Sequence, residues 1–181
     1  VSTIITFIAF IAFGSCAYIN DPAVDAPNAA PYGGGYGIFD AIALTRPDLM
    51  LWLGDAVYLR PADWASANGI HRRYRHARAT PSLQSLLGQT HHYAIWDDHD
   101  FGPNDADWTY VHKGSALKTF KEFWMNPSYG LPETAGVFTQ FTWSDVDFFM
   151  LDNRYHRSSS RSPDGHDKTQ LGETQLRWLL D

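Results

Sequence analysis

Residues 94–107, AIWDDHDFGPNDAD, place five aspartates, a histidine and an asparagine directly behind an apolar run. Asp97, Asp98, Asp100, Asp105 and Asp107 repel one another unless water, a proton or a cation neutralises them, most strongly where the apolar segment lowers the dielectric. The adjacent pair Asp97 and Asp98 reads either as cation ligands or as the cap of a helix in a solvated acidic loop. His99, between aspartates, reads as a structural histidine or as a general acid. A second concentration is WLGDAVY, where Asp55 and Tyr58 stand three positions apart behind Gly54, which allows the backbone a sharp turn. Their carboxylate and phenol can reach one cation; the alternative is a turn aspartate beside a buried, hydrogen-bonded tyrosine. Cys16 closes a third apolar run. Arg154 follows a fourth, VDFFMLDNR, where it serves as a phosphate clamp or as a salt-bridge partner of Asp152.

Oxygen ligands in this number suit Ca²⁺, Mg²⁺, Mn²⁺ or Fe³⁺, whereas the thiol of Cys16 and the phenol of Tyr58 favour a trivalent or softer metal. A mixed set points to two different metals, and two cations a few Å apart can clamp a phosphate ester and turn a bridging water into a nucleophile.

The elements that must position these residues are apolar runs of strand length, each stopping at a polar cluster. ITFIAFIAF ends at Gly14, Ser15 and Cys16; DLMLWL ends at Gly54 and Asp55; HYAIW ends at Asp97 and Asp98; VDFFML ends at Asp152, Asn153 and Arg154. The alternating FTQFTW is a hairpin partner for VDFFML. Helical patterns are predicted near Ile38–Leu44, over Arg72–Leu87 with a break at Pro81, over Ser115–Trp124, and from LGETQLRWLL onward. Apolar strands joined by helical connections predict an α/β or mixed architecture, and in open sheets of this kind ligands gather beyond the carboxyl ends of the strands. All the polar clusters would then form one composite site.

The chain of 181 residues has material for one core, with 44% hydrophobic, 15% aromatic and 19% charged residues. Its net charge of −6 argues against nucleic-acid binding as a main role. One cysteine excludes an intrachain disulfide. Residues 1–12 read as the remnant of a signal segment or as a first strand, and the apolar stretch is too short to span a bilayer. FGSC also reads as the end of a lipoprotein signal, with Cys16 acylated.

Residues SC (15–16), PDLMLWLGDAVYLR (47–60), YAIWDDHDFGPNDAD (93–107), FKEFWMNPSYG (120–130) and VDFFMLDNRYHR (146–157) resemble the PhoD-like alkaline phosphatases, a branch of the calcineurin-like metallophosphoesterases. The resemblance implies an α/β fold, a mixed β-sheet sandwich flanked by helices (αββα), and hydrolysis of a small-molecule phosphate ester by a metal-bridging hydroxide. It places iron (Fe³⁺) and calcium as cofactors. Asp55 would bridge the metals, Asp98 would replace the superfamily's asparagine ligand, Cys16 and Tyr58 would bind the ferric ion, and Asn104 and Asp97 would be further ligands. His99 would face the substrate, with Arg154 as the second catalytic group. Monoesters, diesters and phospholipids all fit these residues. The family implies a periplasmic, extracellular or cell-surface location.

Metallophosphoesterases also carry later ligands in a GD-x-H type segment, and none follows Arg157. Residues 1–181 are therefore expected to be a single, partial catalytic domain. The rival reading is a calcium-binding surface lipoprotein acylated at Cys16, without hydrolytic activity.

Overall fold

The computed structural model of the protein describes residues 9–25 and 33–181. Three parallel strands form its central sheet in the order β1 (Ile11–Gly14), β2 (Leu49–Leu53), β3 (His91–Ile95). The register pairs Gly14 with Trp52 and Leu53 with Ile95, so all three strands end along one edge. Residues 11–12 of the ambiguous first segment thus belong to a strand, and residues 1–8 lie outside the described residues.

Helix α1 (Gly33–Thr45) connects β1 to β2. Its first turn is irregular, because Gly34, Gly35 and Tyr36 have left-handed φ of 67°, 85° and 70°. The regular part begins close to the predicted Ile38. Between β2 and β3 run α2 (Ala67–Arg78) and α3 (Pro81–Leu87). Helix α2 starts five residues before the predicted Arg72, because the Ser66 hydroxyl accepts the Gly69 amide and caps a turn that reads as loop in the sequence. Pro81 opens the next helix, where its missing N–H costs nothing.

β2 is apolar throughout because both of its faces are covered. Met50 and Trp52 point to the helical side, packing with Phe39, Trp96 and Phe120. Leu49 and Leu51 point to the other side, where Met150, Phe141, Trp143 and Phe148 cover them. Those residues come from an antiparallel hairpin, β4 (Thr139–Trp143) and β5 (Val146–Met150). Helices lie on one face of the parallel sheet and the hairpin on the other, within the α/β or mixed architecture expected from the strand pattern, which does not assign the hairpin to a face. Helix α4 (Asp98–Phe101) follows β3 directly; α5 (Lys113–Phe123) and α6 (Glu173–Leu180) complete the elements.

Two buried ion-pair and hydrogen-bond systems hold the loops to this frame. Arg73 on α2, 1% exposed, grips Asp25 with two nitrogens at 3.0 and 3.1 Å and Asp63 with Nε at 2.8 Å. Arg72 joins Asp21 to Asp63 beside it. Beyond β5, the Asp152 carboxylate accepts the Trp96 indole N–H at 2.7 Å and the backbone N–H groups of Val137, Arg154 and Tyr155 at 2.9 Å. Gln175 on α6 brackets the Asp152 backbone with two bonds of 2.7 Å.

Candidate metal centre

The parallel register delivers Cys16, Asp55 and Asp98 to the same edge of the sheet. Cys16 N–H donates to the Gly54 carbonyl at 3.2 Å and Ala17 N–H to the Asp55 carbonyl at 2.8 Å, so the first two strand ends remain joined past the last ladder pair. Cys16 and Asp55 both adopt left-handed backbone, with φ of 59° and 53°. That conformation is uncommon for residues with a Cβ and concentrates at functional sites. Gly54 has φ 99°, and a Cβ there would stand 2.8 Å from both the Cβ and the amide nitrogen of Asp97. Only glycine lets the β2 turn lie this close to the β3 turn.

One ligand atom each from Asp55, Asp98 and His99 lies within 4.8 Å of the others. The Cys16 thiol stands 4.0 Å from Asp55 Oδ2. Burial, with the charge of Asp98 beside it, raises the Asp55 carboxyl above the ordinary carboxylate range, and His99 only partly offsets this. Burial and hydrogen bonding with Cys16 and Asp55 push the Tyr58 phenol up. The Tyr58 ring stacks on His99 with centroids 4.4 Å apart, which fixes the imidazole plane, and meets the Tyr18 ring at 4.8 Å with a 60° tilt.

These residues fit a cation. Two buried carboxylates converge with a thiol, a phenol and an imidazole, and among the described residues the one Arg or Lys side chain paired with them, Arg154, stands 3.9 Å from Asp98 Oδ1. His99 Nδ1 is buried and has no hydrogen-bond partner among the described residues. A bound metal would satisfy the oxygens and separate their charges, and the thiol and phenol suit a trivalent or transition ion.

The adjacent acids of the sequence diverge, because Asp97 is the extended N-cap residue and Asp98 the first residue of the helical turn. Asp98 faces Asp55 and His99, and its Oδ2 accepts the Asp105 amide at 2.7 Å. Asp97 caps α4, and its Oδ1 accepts Nε of Arg154 at 2.5 Å and Nδ2 of Asn153 at 2.9 Å. Arg154 therefore meets Asp97 with its guanidinium and Asp152 only through its backbone N–H. Asn104 is exposed and donates to Asp105 at 2.7 Å, on the outer side of the loop. The structure thus brings together Cys16, Asp55, Tyr58, Asp98 and His99, sets Arg154 at their edge, and keeps Asp97 and Asn104 engaged elsewhere. Asn153, Tyr18 and Asp100 also border the centre; the sequence reading gave them no role, and a run of polar residues after each strand was the only signal for them. An apolar cavity of about 420 Å³, lined by Phe13, Tyr18, Phe39, Met50 and Trp52, reaches the centre at Cys16.

A family model of PhoD-like phosphatases matches residues 11–181. The chain belongs to this family. Among solved structures, that of PhoD matches with a TM-score of 0.72 at 19% identity, over 94% of this chain and 38% of PhoD, so the PhoD-like chain shares its fold and spans well under half its length. No curated protein sequence matches. Neither finding lends support to an acylated calcium-binding lipoprotein. Among the described residues no helix is long and apolar enough to cross a membrane.

Proposed function

We propose that residues 1–181 are the amino-terminal part of a catalytic domain that hydrolyses phosphate esters, with Cys16, Asp55, Tyr58 and Asp98 as metal ligands. The observation that carries this reading is the approach of Asp55, Asp98 and His99 within 4.8 Å, where the two buried carboxylates have, among the described residues, only the Arg154 guanidinium, 3.9 Å from Asp98, as an ion-pair partner. Iron and calcium are the ions proposed, the thiol and phenol favouring the ferric ion and the carboxylates accommodating calcium. Such ions supply Lewis acidity toward the phosphoryl oxygens and make water nucleophilic near neutral pH. Asp97 and Asn104 would need to turn from their present partners to join the ligands.

The chain's own residues account for the remaining work. Asp55 links the two strand ends that carry the other ligands. His99, held flat against Tyr58, delivers a proton to the departing alkoxide oxygen or hydrogen-bonds a phosphate oxygen as water replaces the alcohol on phosphorus. Arg154 adds positive charge beside Asp98, where it would stabilise negative charge that builds on the phosphoryl oxygens in the transition state relative to the bound ester. A location outside the cytoplasm is inferred from the family.

The test is metal analysis and turnover of chromogenic phosphate mono- and diesters by the full-length protein. His99→Gln is expected to retain metal while lowering kcat by about 10²-fold or more, as for a group acting in proton transfer. Loss of metal from that variant makes His99 a ligand instead, and absence of bound metal from the wild-type protein sinks the whole reading.

A second measurement addresses Tyr58. A phenolate on ferric iron gives a visible charge-transfer band, so Tyr58→Phe is expected to bleach most of the colour and weaken iron retention. A tyrosine that only packs predicts an unchanged spectrum and a loss of roughly 1 kcal/mol from one missing hydrogen bond. Cys16→Ser, measured alongside, removes the thiolate part of the absorption and separates the two ligands.

A further inference from the structure

We infer that Asp100 is a positioning residue: its carboxylate clamps the β2 turn to the β3 turn and thereby sets Asp55 against Asp98 and His99. The inference rests on the metal reading of those residues and concerns what holds them in place.

Asp100 is completely buried, and no cationic side chain pairs with it among the described residues. Its acceptor capacity goes to main-chain donors of the two turns. Oδ2 takes the N–H of Asp55, in very close contact, and that of Asp97 at 3.0 Å, while Oδ1 takes the N–H of Val57 at 2.8 Å. Burial pushes this carboxyl well up, and the three amides work against that by favouring the anion. Two more bonds run along the same seam: Leu59 N–H to the His99 carbonyl at 2.9 Å, and His99 N–H to Asp55 Oδ1 at 3.2 Å.

Asp55 sits in left-handed backbone past the end of β2, where its carbonyl accepts the Ala17 amide at 2.8 Å and its own N–H goes to Asp100. A short helical turn capped within itself would need only the Asp97 contact from Asp100. The bonds to Asp55 and Val57 go beyond capping and tie a residue on one strand end to those on the next. Among the described residues no hydrogen bond joins the Asp100 carboxylate to the side chain of Asp55, Asp98 or His99, and its bond to Asp55 is to the backbone N–H, so it acts through the main chain of Asp55.

The test uses the full-length protein with Mn²⁺ as the probe. Asp100→Asn keeps the volume but replaces one accepting oxygen by a donor, which opposes an N–H of the seam. Expected are a cooperatively folded variant and a Kd for Mn²⁺ raised about 10- to 100-fold, the range for residues that orient metal ligands. In the wild type, the Asp55 and Val57 amides are expected to exchange with deuterium far more slowly than other loop amides, a readout that holds even where the variant fails to fold. A variant that binds Mn²⁺ within twofold of wild type, whatever its melting temperature, overturns the inference by leaving Asp100 a purely structural acid. Fast exchange of both amides overturns it as well. Wild-type protein that binds no Mn²⁺ refutes the metal reading itself, and the exchange measurement then decides the clamp alone.

Discussion

On the proposed function, Asp55→Ala is expected to abolish phosphate-ester turnover in the metal-loaded, full-length protein, lowering kcat/KM by at least about 10³-fold, or roughly 4 kcal/mol of transition-state stabilisation. The size of the effect follows from position. Asp55, which follows β2, is approached from both neighbouring strand ends: the Cys16 thiol at 4.0 Å from Oδ2, the His99 amide at 3.2 Å from Oδ1, and Asp98 in the same cluster. Removing it takes away a shared ligand and leaves the neighbouring groups unsupported, so metal content falls together with activity. Asp97→Ala offers the contrast. Its carboxylate is occupied by Arg154 and Asn153, and the expected loss is smaller, with metal largely retained. Turnover by Asp55→Ala within tenfold of wild type, with metals bound, would remove Asp55 from the centre.

The second large effect is on stability and lies behind the centre. Arg73→Met is expected to destabilise the protein by about 3–5 kcal/mol, because it takes from two buried carboxylates their buried cation and leaves Asp63 and Asp25 only the part-exposed Arg72 and Arg60. Asp25 and Asp63 have side chains only 2% and 0% exposed, and Arg73 is the buried cation that bonds both. For a chain of this size each kcal/mol moves the melting temperature by roughly 2–4 °C, so a fall on the order of 10 °C is expected. Arg72→Met is the control: its side chain is 43% exposed, and solvent screening limits the expected loss to about 1 kcal/mol. Calorimetry on the two variants decides the matter, and equal, small shifts would show that the buried network contributes little.

The same network gives a direction in acid. Burial alone would raise the Asp25 carboxyl, but the hydrogen bonds and charge of Arg73, with the Asp21 amide, overcome it and hold the pKa below the ordinary 3.8. Asp21 is lowered likewise by Arg72 against its own burial. A depressed folded-state pKa stabilises the fold above the unfolded value, so this contribution is present near neutrality and is lost as pH falls below about 3.8 through the folded values. The consequence reaches the centre, because Asp25 anchors the segment that follows Cys16 and Asp63 the segment that follows Tyr58.

Much of the frame was legible in one dimension. LMLWL is apolar at every position because a central parallel strand is covered on both faces, and TQFTW alternates because a hairpin strand has one covered face. The polar residues that end these runs marked the edge of the sheet, since a parallel sheet sends its strand ends the same way. The helix starts were harder to read. The first turn of α2 consists of small and polar residues, and only the Ser66 cap, a contact with the Gly69 amide, makes it helical.

Residue types and their order determined that acids, a thiol, a phenol and an imidazole lie at strand ends, because strand length and apolar pattern are local properties of the chain. Which acid does what was decided by the tertiary structure. Asp97 and Asp98 are identical in chemistry and adjacent in sequence. The helical turn that begins there sends one to Arg154, which arrives 57 residues later from β5, and the other to Asp55 on the neighbouring strand. Asp100 reads as one more acid of the run, yet folding buries it among amides of two turns. The distinction depends on contacts between residues far apart in the chain, and no local spacing encodes those.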